Sequence, residues 1–114
     1  MNLKDLVTFA DFAKIDLRVG TIIKAENYVE AKRPAIKLWI DLGELGTKQS
    51  SAQITDYYRP EKILHQQVIV VANLPPKQVG HFISEVLTLG VITADDKVVL
   101  IGPNSVAENG QTIE

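Results

Sequence analysis

Apolar and polar positions alternate with a period of two along most of this chain, which predicts strands rather than helices. Between Ala35 and Leu42, Ile36, Leu38, Ile40 and Leu42 share one parity, while Lys37, Trp39 and Asp41 share the other. From Ile15 to Glu26 one parity reads Ile15, Leu17, Val19, Thr21, Ile23 and Ala25, and this set is expected to face inward. Gly20 marks a place where that long strand would coil or bulge. Gly43-Glu44-Leu45-Gly46 turns the chain into a third strand, Thr47 to Ile54. Val68 to Asn73 is apolar on both parities and should be covered on both faces. Ile83 to Leu89 and Val98 to Ile101 complete the strand set.

Helical signals are short. Thr8 followed by Asp11 has capping-box spacing before Phe9–Ala13, and Asn2 with Asp5 allows a similar turn ahead of it. Pro60 and Glu61 suit the first turn of another short helix. Three strands, a short helix and two or more further strands are the order of the OB-fold, a five-stranded Greek-key barrel. The expectation is therefore an all-β fold: an OB barrel with a short N-terminal helix, a short helix between strands three and four, and an extra C-terminal strand segment. A chain of 114 residues is expected to form one domain over residues 1–114.

Composition narrows the chemistry. The chain has no cysteine, so there is no disulfide framework, thiolate nucleophile or cysteine zinc site. The longest apolar run, Val68 to Ala72, is far short of the ~20 residues that span a bilayer. The charged start, Met-Asn-Leu-Lys-Asp-Leu, does not read as a secretory signal, and the expected place is the cytoplasm. A net charge of −2 argues against a generic nucleic-acid binder. The sum nevertheless hides six basic residues between Lys14 and Lys37 (Lys14, Arg18, Lys24, Lys32, Arg33, Lys37) against three acidic ones. RNA contact there would have to be local.

No catalytic constellation emerges. His65 and His81 lie in no metal-ligand spacing, no serine sits in a nucleophile elbow, and no glycines form a phosphate loop. Neither a cofactor nor a metal is expected. Two segments resist a purely structural account. Lys48-Gln49-Ser50-Ser51-Ala52-Gln53 is small and polar on both faces, suited either to hydrogen-bond a ligand or to keep an edge strand from aggregating. Asn73-Leu74-Pro75-Pro76 through Glu85 is a proline-stiffened stretch with a lysine, amides and an imidazole, either a binding loop or a rigid turn. Trp39 is a candidate for an interface or for cover by a terminal segment of its own chain. Tyr57-Tyr58-Arg59 could stack on bases or anchor the helix start.

Phe12-Ala13-Lys14-Ile15-Asp16-Leu17-Arg18-Val19-Gly20-Thr21-Ile22 resembles the opening of the OB-type tRNA-binding domain family, which includes the cytokine-like EMAP II domain and a domain appended to some methionyl-tRNA synthetases. Arg33 to Leu38, Lys48 to Thr55, Asn73-x-Pro75-Pro76, Ser84 to Gly90 and Asn109-Gly110 resemble its stand-alone CsaA subgroup. The resemblance implies a homodimer without enzymatic activity, an export-related chaperone that binds unfolded or precursor polypeptides, with tRNA as the alternative ligand. It implies a peptide- or RNA-binding surface at Gln49, Ser50, Ser51, Gln53, Asn73, Lys77, Ser84 and Glu85. In the tRNA reading the basic region would supply Lys32, Arg33 and Lys37 as phosphate contacts; a third reading, a structural module that dimerises and recruits another protein, would use Trp39 as its interface residue. Where tRNA-binding members commonly carry Lys, Gly, Gly and Met, this chain has Gln78, His81, Ala52 and Leu87, changes that remove basicity or alter the RNA-facing surface.

Overall fold

The structure, a computed structural model, describes residues 2–114, so Met1 of the expected domain lies outside the described residues. A curled antiparallel sheet of order β3-β2-β1-β4-β7 forms the barrel wall, from β1 (Leu17–Tyr28), β2 (Ala35–Asp41), β3 (Thr47–Ala52), β4 (Gln67–Val71) and β7 (Leu87–Thr88). The helix α1 (Phe9–Ala13) precedes it and α2 (Pro60–Ile63) joins β3 to β4. Two hairpins are added, β5 (Lys77–Val79) with β6 (Phe82–Ser84), and β8 (Gly90–Ile92) with β9 (Val98–Leu100). This is the expected OB-fold.

The alternation of β2 is realised in full. Ile36, Leu38, Ile40 and Leu42 are completely buried, joined in the core by Ile22, Ile54, Ile63 and Val68. All four valines and isoleucines of β4 are buried, because the strand is covered on both faces. The Thr8 cap also forms, its hydroxyl oxygen accepting from the Asp11 N–H at 3.0 Å. No turn forms at Asn2 and Asp5: residues 2–8 have no regular structure, and nothing packs over Leu3 or Leu6.

Along β1 the expected parity fails up to Ile22, where Gly20 and Ile22 face the core, and is recovered at Ala25. Ile22 is fully buried and Ile23 is half exposed, the reverse of simple alternation. The register against β2 shifts between Ile22 and Lys24, so Ile23 is the extra residue of a bulge and the inward set changes parity there. The backbone of Ile22 pairs instead with the segment after α2, donating to Gln66 and accepting from His65. Gly20 has a different task from bulging. A Cβ on it would lie 2.5 Å from Ile40 and 2.6 Å from Leu42, so the missing side chain lets β1 cross closely over β2.

Before Thr21 β2 has peeled away from β1, and the C-terminal segment takes its place. Gly110 donates to the Val19 carbonyl, Val19 to Gln111, and Ile113 to Leu17, with a bridge between Arg18 and Thr112. The Asn109 side-chain oxygen accepts from the Thr21 hydroxyl at 2.7 Å and from the Gln67 amide at 3.2 Å, which fixes the strap to both β1 and β4.

The expected strand Ile83 to Leu89 is broken into β6 and β7. Glu85 and Val86 both donate to the single carbonyl of Gln49, at 2.8 and 3.3 Å, and two successive N–H groups can converge on one oxygen only where the chain bends. At the β8–β9 turn, the Thr93 hydroxyl, donating at 2.6 Å, holds the Asp95 carboxyl below the usual carboxylate range, helped by Asp95's own backbone N–H and by Lys97.

Two predictions follow from these contacts. Gly20→Ala should lower stability by about 1–3 kcal/mol, the usual cost of overpacking, read as a lower urea midpoint at unchanged slope. Because the folded Asp95 pKa is depressed, its stabilisation is present above the unfolded Asp value and is lost as pH falls through the folded one. A carboxyl NMR titration should place its midpoint below that of free Asp, and Thr93→Val should raise it.

Candidate functional site

The β5–β6 hairpin lies across the outer face of β1 and β2, and an aromatic cluster holds it there. Phe82 is buried between Tyr28, at a ring separation of 6.0 Å, and Trp39, at 5.7 Å, edge to face in both cases. The Tyr28 hydroxyl donates to the Val79 carbonyl at 2.6 Å and accepts from the His81 N–H at 3.2 Å. The hairpin turn requires Gly80: its φ is +62°, and a Cβ would fall 2.3 Å from the Tyr28 oxygen. The Lys37 ammonium sits 4.7 Å from the Tyr28 ring centre and 5.6 Å from that of Phe82, and Lys24 caps Trp39 at 4.5 Å.

From this hairpin the chain turns along the edge of β3. The Ser84 hydroxyl oxygen accepts from the Ser51 N–H at 3.0 Å, and the Glu85 carboxylate accepts from the Gln49 N–H at 3.0 Å. Side chains thus stand where the carbonyls of a neighbouring strand would be. Between the hairpin, the β3 edge and the loop before β2 opens a cleft of 790 Å³. Its apolar floor includes Ala35, Leu74, Val79, Val86 and Leu87, and its rim carries Lys32, Arg33, Lys77 and Gln78.

The structure therefore gathers Ser51, Gln53, Lys77, Ser84, Glu85, Lys32 and Arg33 around one opening. The other candidates lie elsewhere. Ser50, expected at a binding surface, is 1% exposed, and its oxygen accepts from the Thr88 hydroxyl at 2.8 Å. It shares the inward parity of Ala52, opposite Leu38 and Ile36, so its polarity serves the seam between β3 and β7. The Gln49 amide, in the orientation that satisfies both neighbours, accepts from the Trp39 ring N–H at 3.2 Å and donates to the Ile83 carbonyl at 3.0 Å. Asn73 is a latch: it accepts from the Asp16 N–H at 2.9 Å and donates to the Lys14 carbonyl at 2.7 Å, tying the segment after α1 to the end of β4. Lys37 faces aromatic rings rather than the cleft. Trp39 is covered by its own chain, through the hairpin and not through a terminal segment. Tyr57 and Arg59 are exposed on another side of the molecule, near α2. His65 and His81 are both exposed.

Sequence reasoning missed the floor of the cleft and the role of Tyr28. Leu74 stood inside the proline-stiffened segment and could have been read with it. Val79 stood in the same segment, and Leu87 was marked only as a departure from the tRNA-binding pattern; Val86 looks like an ordinary strand residue.

A curled five-stranded barrel with its helix between the third and fourth strands, and a polar-edged cleft beside the third, defines an OB-fold binding domain. The chain belongs to the family described as "Putative tRNA binding domain", which matches residues 17–112. Among solved structures it is similar to the chaperone CsaA of Bacillus anthracis, at 51% identity and a TM-score of 0.92, covering 96% of this chain and 100% of that one. A CsaA chaperone protein of Picrophilus torridus is similar at 46% identity and a TM-score of 0.89, with the same coverages. A curated relative, the methionine–tRNA ligase of Methanococcoides burtonii, is 37% identical over 96% of this chain, which spans only 16% of that enzyme's length. The CsaA-type resemblance read in the sequence is thereby borne out.

The hairpin's dependence on one hydroxyl is testable. Tyr28→Phe keeps the ring and leaves the Val79 carbonyl and His81 N–H without it. It should cost about 1–2 kcal/mol of stability, with faster amide exchange confined to residues 79–82.

Proposed function

We propose that this chain is a non-catalytic, homodimeric, CsaA-like chaperone that binds unfolded or precursor polypeptides in protein export, acting in the cytoplasm. The observation that carries this reading is the cleft beside β3. Its floor of Ala35, Leu74, Val79, Val86 and Leu87 suits apolar side chains, and its polar edge suits a peptide backbone. Similarity to two proteins named as CsaA chaperones supports it. In this reading residues 1–114 work as one tRNA-binding-type OB domain, with Ser51, Gln53, Lys77, Ser84 and Glu85 in contact with the polypeptide. The exposed apolar side chains of Val91 and Ile92 on β8, and of Val99 on β9, support a second copy as partner.

The second reading is a tRNA-binding accessory protein. The family match favours it, as do the Lys32, Arg33 and Lys77 side chains along one rim of the cleft. With Lys37 engaged by aromatic rings, that rim offers few contacts for a phosphate backbone.

A titration against an unfolded polypeptide and against bulk tRNA, each at two salt concentrations, separates the readings. Under the first, polypeptide binds with little salt dependence, and Leu87→Glu, at a half-exposed floor position, weakens it by about tenfold, the effect of roughly 1.4 kcal/mol. Micromolar tRNA binding that falls steeply with salt, and that is lost on changing Lys32 and Arg33 to Ala, would establish the second instead.

A further inference from the structure

The backbone of β3 points alternately toward β2 and toward the cleft. Gln49 and Ser51 direct their groups outward, since their N–H groups meet Glu85 and Ser84 rather than β2. The Gln49 carbonyl is taken by Glu85 and Val86. Beyond that point the supply of internal partners stops. Among the described residues, neither the Ser51 carbonyl nor the Gln53 N–H has a hydrogen-bond partner, and both residues border the cleft.

We propose that this open edge takes up one strand of an extended peptide running parallel to β3. In a parallel pair, a single residue of the added strand donates its N–H to residue i−1 and accepts from the N–H of residue i+1. With Ala52 as i, those two groups are the Ser51 carbonyl and the Gln53 N–H. An antiparallel residue facing Ser51 would need the Ser51 N–H, which already donates to Ser84. Ser84 and Glu85 therefore act as a stop. They occupy the edge up to Ser51, and the added strand begins there.

Charge sets a further condition on the occupant. Lys32, Arg33 and Lys77 border the cleft, against the single carboxylate of Glu85, which is already accepting from Gln49. The strand that fits is apolar, to lie on Val79, Val86 and Leu87, and carries an acidic side chain within reach of those cations.

This inference rests on the polypeptide-binding reading, and its test is chosen so that the two fail separately. The probes are nine-residue peptides of alternating Val and Thr, ending in two Glu or in two Lys residues, each titrated against the full chain. The Glu peptide is then N-methylated at one backbone position at a time, which removes a donor without touching the protein. The expected result is tighter binding of the Glu peptide than of the Lys peptide. Methylation should weaken binding by about tenfold at the one position whose N–H meets the Ser51 carbonyl and leave the other positions unchanged. The Gln53 amide resonance should move downfield when the Glu peptide is added. Binding of the Glu peptide with no single sensitive position in the methylation series, or with no response at Gln53, overturns strand addition. Equal binding of the Lys peptide overturns the acidic preference. If neither peptide binds while an unfolded polypeptide does, the proposal falls and the reading beneath it stands. If the unfolded polypeptide does not bind either, both fall.

Discussion

The barrel closes where β3 meets the segment from Ser84 to Thr88, and it closes through side chains as much as through backbone. A regular ladder would have consumed every outward group on β3. Instead the Ser84 hydroxyl and the Glu85 carboxylate stand in for strand carbonyls, and the Thr88 hydroxyl reaches the buried Ser50. Hydrogen bonding is complete at Gln49 and half complete at Ser51, and the cleft lies beside the end of this seam. The small polar composition of β3 is thus explained twice, by Ser50 within the seam and by Ser51 and Gln53 at its open end.

A second constraint positions the cleft wall. The β5–β6 hairpin has only its own short ladder, and an isolated two-stranded hairpin is marginal in water. Phe82, wedged between Tyr28 and Trp39, gives it a small satellite core separate from the barrel interior. Lys37 and Lys24 cover the same rings. Basic residues that looked free for phosphate are partly committed to this buttress, and the cations at the cleft mouth are the loop residues Lys32 and Arg33 with Lys77 of the hairpin.

Where a residue's environment is set by its strand neighbours, the sequence was readable. β2 alternates without fault because each inward side chain meets a filled interior, and β4 is apolar on both parities because both faces are covered. The order of strands and helix followed from the same pattern. Reading failed where a distant partner decides the outcome. Ile22 and Ile23 exchanged places because the chain after α2 pairs with β1 at the bulge. Trp39 found its cover in Phe82, which no local pattern connects to it, and Asn73 became a latch for Lys14 and Asp16. At the site, polar residues without a local structural reason marked the rim correctly. The floor stayed hidden, since a valine exposed to a cleft and a valine in a core are the same letter.

The C-terminal strap has a consequence for how the chain acquires its fold. Arg18 and Gly110, 92 residues apart, share a hydrogen bond, and the strap supplies the partners that β1 lacks before Thr21. During synthesis the Leu17–Gly20 end of β1 must wait, unpaired along that edge, until the strap emerges. Contacts this distant in sequence make closure a slow, late event. Until then the nascent chain is a sheet with a bare edge, and a bare edge is a template for pairing with other chains.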